Sequence, residues 1–153
     1  MKKIILYTQP NGVLAVVHPV IDSRMEMTEK QALARALQAL PNEATDAQVV
    51  DESVIPADRT FRNAWKLGAN GIEHDMAKAR EIHRNKLRDL RTPKLVALDV
   101  AYMRADEAGD EAAKKAIAAE KQSLREVTDD PAIDDATTPE ALKAVMPAAL
   151  RAE

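Results

Sequence analysis

No glycine interrupts residues 76–108, and the only proline in that span is Pro93. Asp75 stands before it as an N-cap, and Ala108-Gly109-Asp110 closes it, with Gly109 suited to the left-handed position after a helix and Asp110 to capping the next one. The spacing predicts one long helix over Met76–Ala108 and a second over Glu111–Val127, joined as an αα-hairpin. Pro93 removes one backbone hydrogen bond, to Asp89, and is expected to kink the first helix.

Advancing 100° per residue places Met76, Ala79, His83, Leu87 and Leu90 in one band, continued beyond Pro93 by Ala97, Leu98, Ala101 and Ala105. This is the expected seam for the returning helix, which offers Ala113, Ala116, Ile117, Leu124 and Val127. The alanines allow close approach of the two axes. Val96, Val100 and Met103 fall on the opposite side, with Leu95 and Tyr102 between. A helix apolar nearly all round is buried from several directions, so a further cover is expected: the N-terminal part of the chain, a second copy, or another protein. Leaving Val96, Val100 and Met103 exposed costs on the order of 2 kcal/mol each relative to burial.

A separate stripe carries Arg80, Arg84, Arg88 and Arg91. Lys78–Arg91 holds six basic and two acidic residues, whereas residues 106–153 hold twelve acidic and six basic. Three readings follow: a solvated face paired with the chain's own acidic end, a docking stripe for an acidic protein, or a nucleic-acid contact. The last lacks the basic domain and recognisable motif that DNA readers carry.

The first 55 residues read as a small ββαβ unit. Strands Ile4–Thr8 and Val13–Val17 flank Gln-Pro-Asn-Gly, where Asn11 and Gly12 suit positive φ. A helix over Glu29–Ala39 starts from Thr28 and stops at Pro41. A third strand lies in "AQVVDES". Residues 56–75 then read as a linking clasp with a short helix, capped by Asp58 and carrying Phe61, Ala64 and Trp65. These are the only Phe and Trp in the chain, and a spacing of four puts both rings on one helix face. Phe61, Arg62 and Trp65 are candidates either for joining the two parts of the fold or for anchoring a partner. From residue 128 the chain is acidic and proline-broken. Residues 128–153 are expected as an acidic tail, a poor core-former, with one short helix over Pro139–Val145. The fold class is α+β, with a helical hairpin over residues 76–127.

Catalytic chemistry is not legible. His18, His74 and His83 lack metal-ligand spacing, and His83 on the seam reads as a hydrogen-bonded structural histidine. "GANG" lacks the Lys-Ser/Thr of a phosphate loop, and Ser23, Ser53 and Ser123 lack a nucleophile-elbow context. No cofactor, metal site or catalytic residue is assigned, and no enzyme is expected. The chain contains no Cys, which fits assembly in a reducing cytoplasm. No run of about 18 apolar residues suggests a membrane span, and the start MKKIILY is too quickly interrupted for a signal peptide.

The phrases "IPADRTFRNAWK", "DMAKAREIHRNKLRDLR", "LDVAYMRADEAGD", "KQSLREVT" and "TPEALKAVMP" together resemble small proteins of tailed bacteriophages. In its C-terminal part the chain is similar to phage tail, or tail-fibre, assembly chaperones. The resemblance covers residues 55–147 and, loosely, the first twenty; residues 21–50 fall outside it. It departs at Met146, where a Trp is expected before the terminal Pro, and this puts the docking of the last segment in question. It implies a setting, the virion tail or its assembly in the host cytoplasm, and supplies no catalytic or ligand residue. The implied partner is a tail or tail-fibre protein, with self-association as a further expectation. A small nucleic-acid-binding or host-modulating phage protein is the alternative.

Overall fold

The computed structural model describes residues 2–151, apart from the side chain of Ser23, so the ends of the first and last expected segments and the Ser23 side chain lie outside the described residues. The α+β class holds. The chain divides into two compact units, Met1–Asp75 and Met76–Glu153.

The first unit is built on β1 (Lys3–Thr8), the centre of a three-stranded antiparallel sheet with β2 (Leu14–Val17) on one side and β3 (Gln48–Asp51) on the other. Tyr7 pairs with Ala15 and Ile4 with Val50. In the β1–β2 turn the Gly12 N–H donates to the Gln9 carbonyl, and Gly12 alone takes positive φ (76°); Asn11, expected to share it, does not. Pro10 and Gly12 occupy the second and fourth positions of that turn, the places a type I turn favours for them. Helix α1 (Glu29–Gln38) begins with a full capping box, Thr28 and Gln31 bonding reciprocally.

Residues 56–75 differ from expectation. The segment is neither a clasp helix nor a linker: it completes the first unit. After a single 3-10 turn over Arg62–Ala64 it forms a hairpin, β4 (Trp65–Gly68) and β5 (Gly71–His74). Asp58 accepts from the Thr60 N–H, an Asx turn rather than a helix cap. Gly71 closes the tight β4–β5 connection with φ of 117°. The Phe61–Trp65 spacing has no helical meaning here, because the chain is extended at Trp65.

Successive residues of a strand face opposite sides. Ile4 and Leu6 therefore share one face of β1, where they join Leu14 and Trp65 in a buried cluster fringed by Val50, Val54, Leu67 and Ile72. Ile5 points the other way, toward the side that α1 covers, where Ala32 is buried. This double cover explains why Ile4, Ile5 and Leu6 are all fully buried. It also meets the need of so small a sheet for layers on both faces.

The second unit starts with α2 (Met76–Glu107), which runs through Pro93 without ending. At its C-terminus the Gly109 N–H bonds to the Asp106 carbonyl and the Asp110 N–H to the Ala105 carbonyl, a Schellman motif with Gly109 at φ 66°. Asp110 then caps α3 (Glu111–Arg125) by accepting from the Ala113 N–H. The expected acidic tail is a folded segment: a 3-10 turn over Glu126–Asp129, α4 (Pro131–Asp135), and α5 (Pro139–Ala144). Ile133 and Leu142 are fully buried, so the segment supplies core residues despite its four aspartates. It packs against α2, so Ala79, His83 and Leu87 lie under a layer that includes the C-terminal segment rather than under α3 alone. Leu90 and Ala97, expected on the seam, are exposed.

Trp65 is 2% exposed. We expect Trp65→Ala to destabilise the first unit by about 3–5 kcal/mol, the usual cost of deleting a large buried aromatic side chain. Urea unfolding followed by far-UV circular dichroism checks this, since the variant has no tryptophan fluorescence.

Candidate functional site

The four arginines of the expected docking stripe are brought together along α2, and three of them face inward onto the C-terminal segment. Arg91 Nη1 donates to the carbonyl of Arg125, at the end of α3, at 2.6 Å. Arg84 Nε donates to the Thr128 carbonyl within the following 3-10 turn, and its Nη2 pairs with Asp134 at 2.8 Å. Arg80 donates to the carbonyls of Ile133 and Ala136, at the end of α4. His83 completes the row, its Nε2 lying 2.9 Å from the carbonyl of Val145, the C-cap of α5.

A helix leaves its last carbonyls without intrahelical partners, and these carry the negative end of its dipole. The side chains of α2 thus cap the C-termini of α3, α4 and α5 and reach a carbonyl of the 3-10 turn between α3 and α4. Guanidinium groups suit this because their planar fork offers several fixed donors and no acceptor. The stripe is therefore not a free docking surface. Only Arg88 stays with its own helix, bonding Glu81 and Asn85.

His83 is 1% exposed. Burial holds its imidazole below the ordinary value of 6.5, and the Lys86 charge acts in the same direction, against the opposing effect of the Val145 carbonyl. A neutral ring donates from Nε2 to the Val145 carbonyl.

The remaining candidate residues divide sharply. Phe61 and Trp65 are buried in the first unit, and the Trp65 indole N–H donates to His74 Nε2 at 3.1 Å. Neither ring is presented to a partner, although the neighbouring Arg62 is exposed. On α2, Leu95 and Tyr102 are half-buried. Tyr102 lies beneath the ammonium groups of Lys114 and Lys121, which are held in turn by Asp106 and Asp99. The Lys114 pKa is raised above its ordinary value, chiefly by the hydrogen bond that its ammonium donates to Asp106 and then by the one to Glu111. Val96, Val100 and Met103 are 58%, 46% and 64% exposed. They form one apolar face with the spacing i, i+4, i+7, on the side of α2 opposite the buried Ala105.

A concavity of about 520 Å³ lies in the first unit between α1 and the start of β1. Its lining includes Ala32 and Leu33 of α1, and Lys2, Lys30 and Glu29. Lys3 and His18 also line it but are engaged with Asp51 and Glu52. Among the described residues, no group of three or more His, Asp or Glu side chains is placed to hold a metal ion, and no helix is long and apolar enough to cross a membrane.

No protein-family model matches the chain, and neither a curated protein nor a solved structure does. The site is thus read from its own geometry. Sequence reasoning missed the capping role of the arginines, although the regular three- and four-residue spacing of the stripe matched it to one helix face. It also missed the β4–β5 hairpin, whose signal was Asn70-Gly71.

Two outcomes follow for the capping row. Arg80→Ala leaves two helix-terminal carbonyls without their donor and is expected to cost about 1–3 kcal/mol, whereas Arg88→Ala, on a surface pair, changes stability by less than about 1 kcal/mol; chemical unfolding of both variants compares them. Because the unfolded chain takes up the His83 proton before the folded one does, the contribution of His83 is complete above pH 6.5. It declines below that value until the folded ring itself protonates. Unfolding measured at pH 7.5 and pH 5.5 should show a smaller loss of stability in His83→Gln than in the native chain.

Proposed function

We propose that this chain is a non-enzymatic protein of a tailed bacteriophage that acts by packing against another protein. It serves either as a tail accessory subunit or as a tail-fibre assembly chaperone, working in the host cytoplasm and, if it is retained, in the virion tail. The observation that carries the packing part is the exposed face of Val96, Val100 and Met103 on a helix whose other side is engaged by α3. Three neighbouring apolar side chains at helical spacing are what a helix-in-groove contact uses as anchors. The tail setting is supported by the resemblance of residues 55–147 alone.

The nucleic-acid alternative drew on the arginine stripe. Arg80, Arg84 and Arg91 are engaged by carbonyls of the same chain, so this support is lost.

Mass spectrometry of purified particles, with copy number counted against the portal protein, tests the proposal. A fixed ratio is expected for a tail subunit. Abundance in the infected-cell lysate with absence from particles is expected for a chaperone. Expression independent of infection, with no association with tail or fibre proteins in the lysate, rejects the tail setting.

A further inference from the structure

The exposed face of α2 is bracketed by charge. Asp89 and Glu107 are eighteen residues apart, which is five full turns, so they lie on one line along the helix roughly 27 Å apart. Val96, Val100 and Met103 lie between them, within about 40° of that line. Among the described residues neither carboxylate belongs to an ion pair. The nearest cation within this stretch, Arg104, lies about 60° off the line. The face is an apolar strip with an unneutralised carboxylate at each end.

We infer that this face binds an amphipathic helix of another protein, one whose apolar stripe is flanked at both ends by lysine or arginine. Charge decides against a second copy of this chain. A parallel copy sets Asp89 against Asp89 and Glu107 against Glu107. An antiparallel copy centred on Val100 brings Asp89 to Asp110 and Glu111 at the tip of the hairpin. Both arrangements oppose like charges, which disfavours pairing. A basic-flanked helix meets a carboxylate at each end and covers the three side chains between. The strip is far smaller than a stable interface, so the contact is weak and exchanges quickly, in keeping with a transient partner.

The inference rests on the packing reading and not on the phage setting, so copy number in particles can fail while the following measurement succeeds, and the reverse. The probes are two synthetic amphipathic helices of about 21 residues, long enough to form helix in isolation. Both carry leucines at i, i+4 and i+7; one has lysines and the other glutamates at the two ends. Fluorescence anisotropy against the full chain should show tighter binding of the lysine-flanked peptide by about threefold to tenfold. Val100→Asp should weaken it about tenfold or more with an unchanged thermal melt, because Val100 is exposed. The double variant Asp89→Lys, Glu107→Lys should reverse the preference between the peptides. Equal binding of both peptides, binding unaffected by Val100→Asp, or binding of neither overturns the inference. So does a dimer in sedimentation equilibrium that Val100→Asp dissociates, since a second copy would then be the occupant.

Discussion

The second unit depends on how short helices end. The pieces that follow α3 are only a turn or two long, and each leaves carbonyls that its own backbone cannot satisfy. Arg84, Arg80 and His83 supply donors to those carbonyls, and Arg91 to the end of α3, all from one face of α2. The order along α2 is nearly the reverse of the order of the helix ends it serves, as an antiparallel return requires. With their ends capped, α4 and α5 can deliver Ile133 and Leu142 to the core. Burial of those two side chains and capping of their helices support one another, and neither would be stable alone in elements of that length.

This arrangement leaves α2 unequal along its length. Its first half lies beneath the folded C-terminal segment, where Ala79, His83 and Leu87 are buried. Its second half is engaged by α3, whose less exposed side chains are Ala113, Lys114, Ile117, Lys121 and Leu124, and Ala105 is the one buried side chain there. Tyr102, beneath two lysines that aspartates hold in place, braces the pair from the side. The apolar face of Val96, Val100 and Met103 therefore stands on a long, braced helix, which holds the three side chains at a fixed spacing for a partner.

The first unit solves a different problem. A sheet of three short strands has a core only if both faces are covered, and here α1 and the β4–β5 hairpin provide the two layers. Trp65 belongs to that second layer. Its indole N–H is satisfied by His74 across the strand pair, which lets the largest side chain in the sequence be buried without an orphaned donor. Phe61 is buried as well, at 3% exposure.

Much of this was legible in the sequence alone. The strands β1, β2 and β3, the capping box of α1 and the hairpin of α2 and α3 all follow from local signals: periodicity, caps and turn glycines. So did the structural role of His83 and the face of Val96, Val100 and Met103, because helical spacing alone sets which side chains share a side. Trp65 misled, since an i, i+4 pair of aromatics signals a helix only if the backbone between them is helical. The acidic segment misled because aspartates at helix starts, such as the Asp130 that caps α4, look like disorder in a composition. What only the tertiary structure decided was the destination of the arginines. Their spacing fixed them to one face, but a guanidinium at the surface and one capping a distant helix have the same sequence. The difference lies in where the returning chain places its carbonyls.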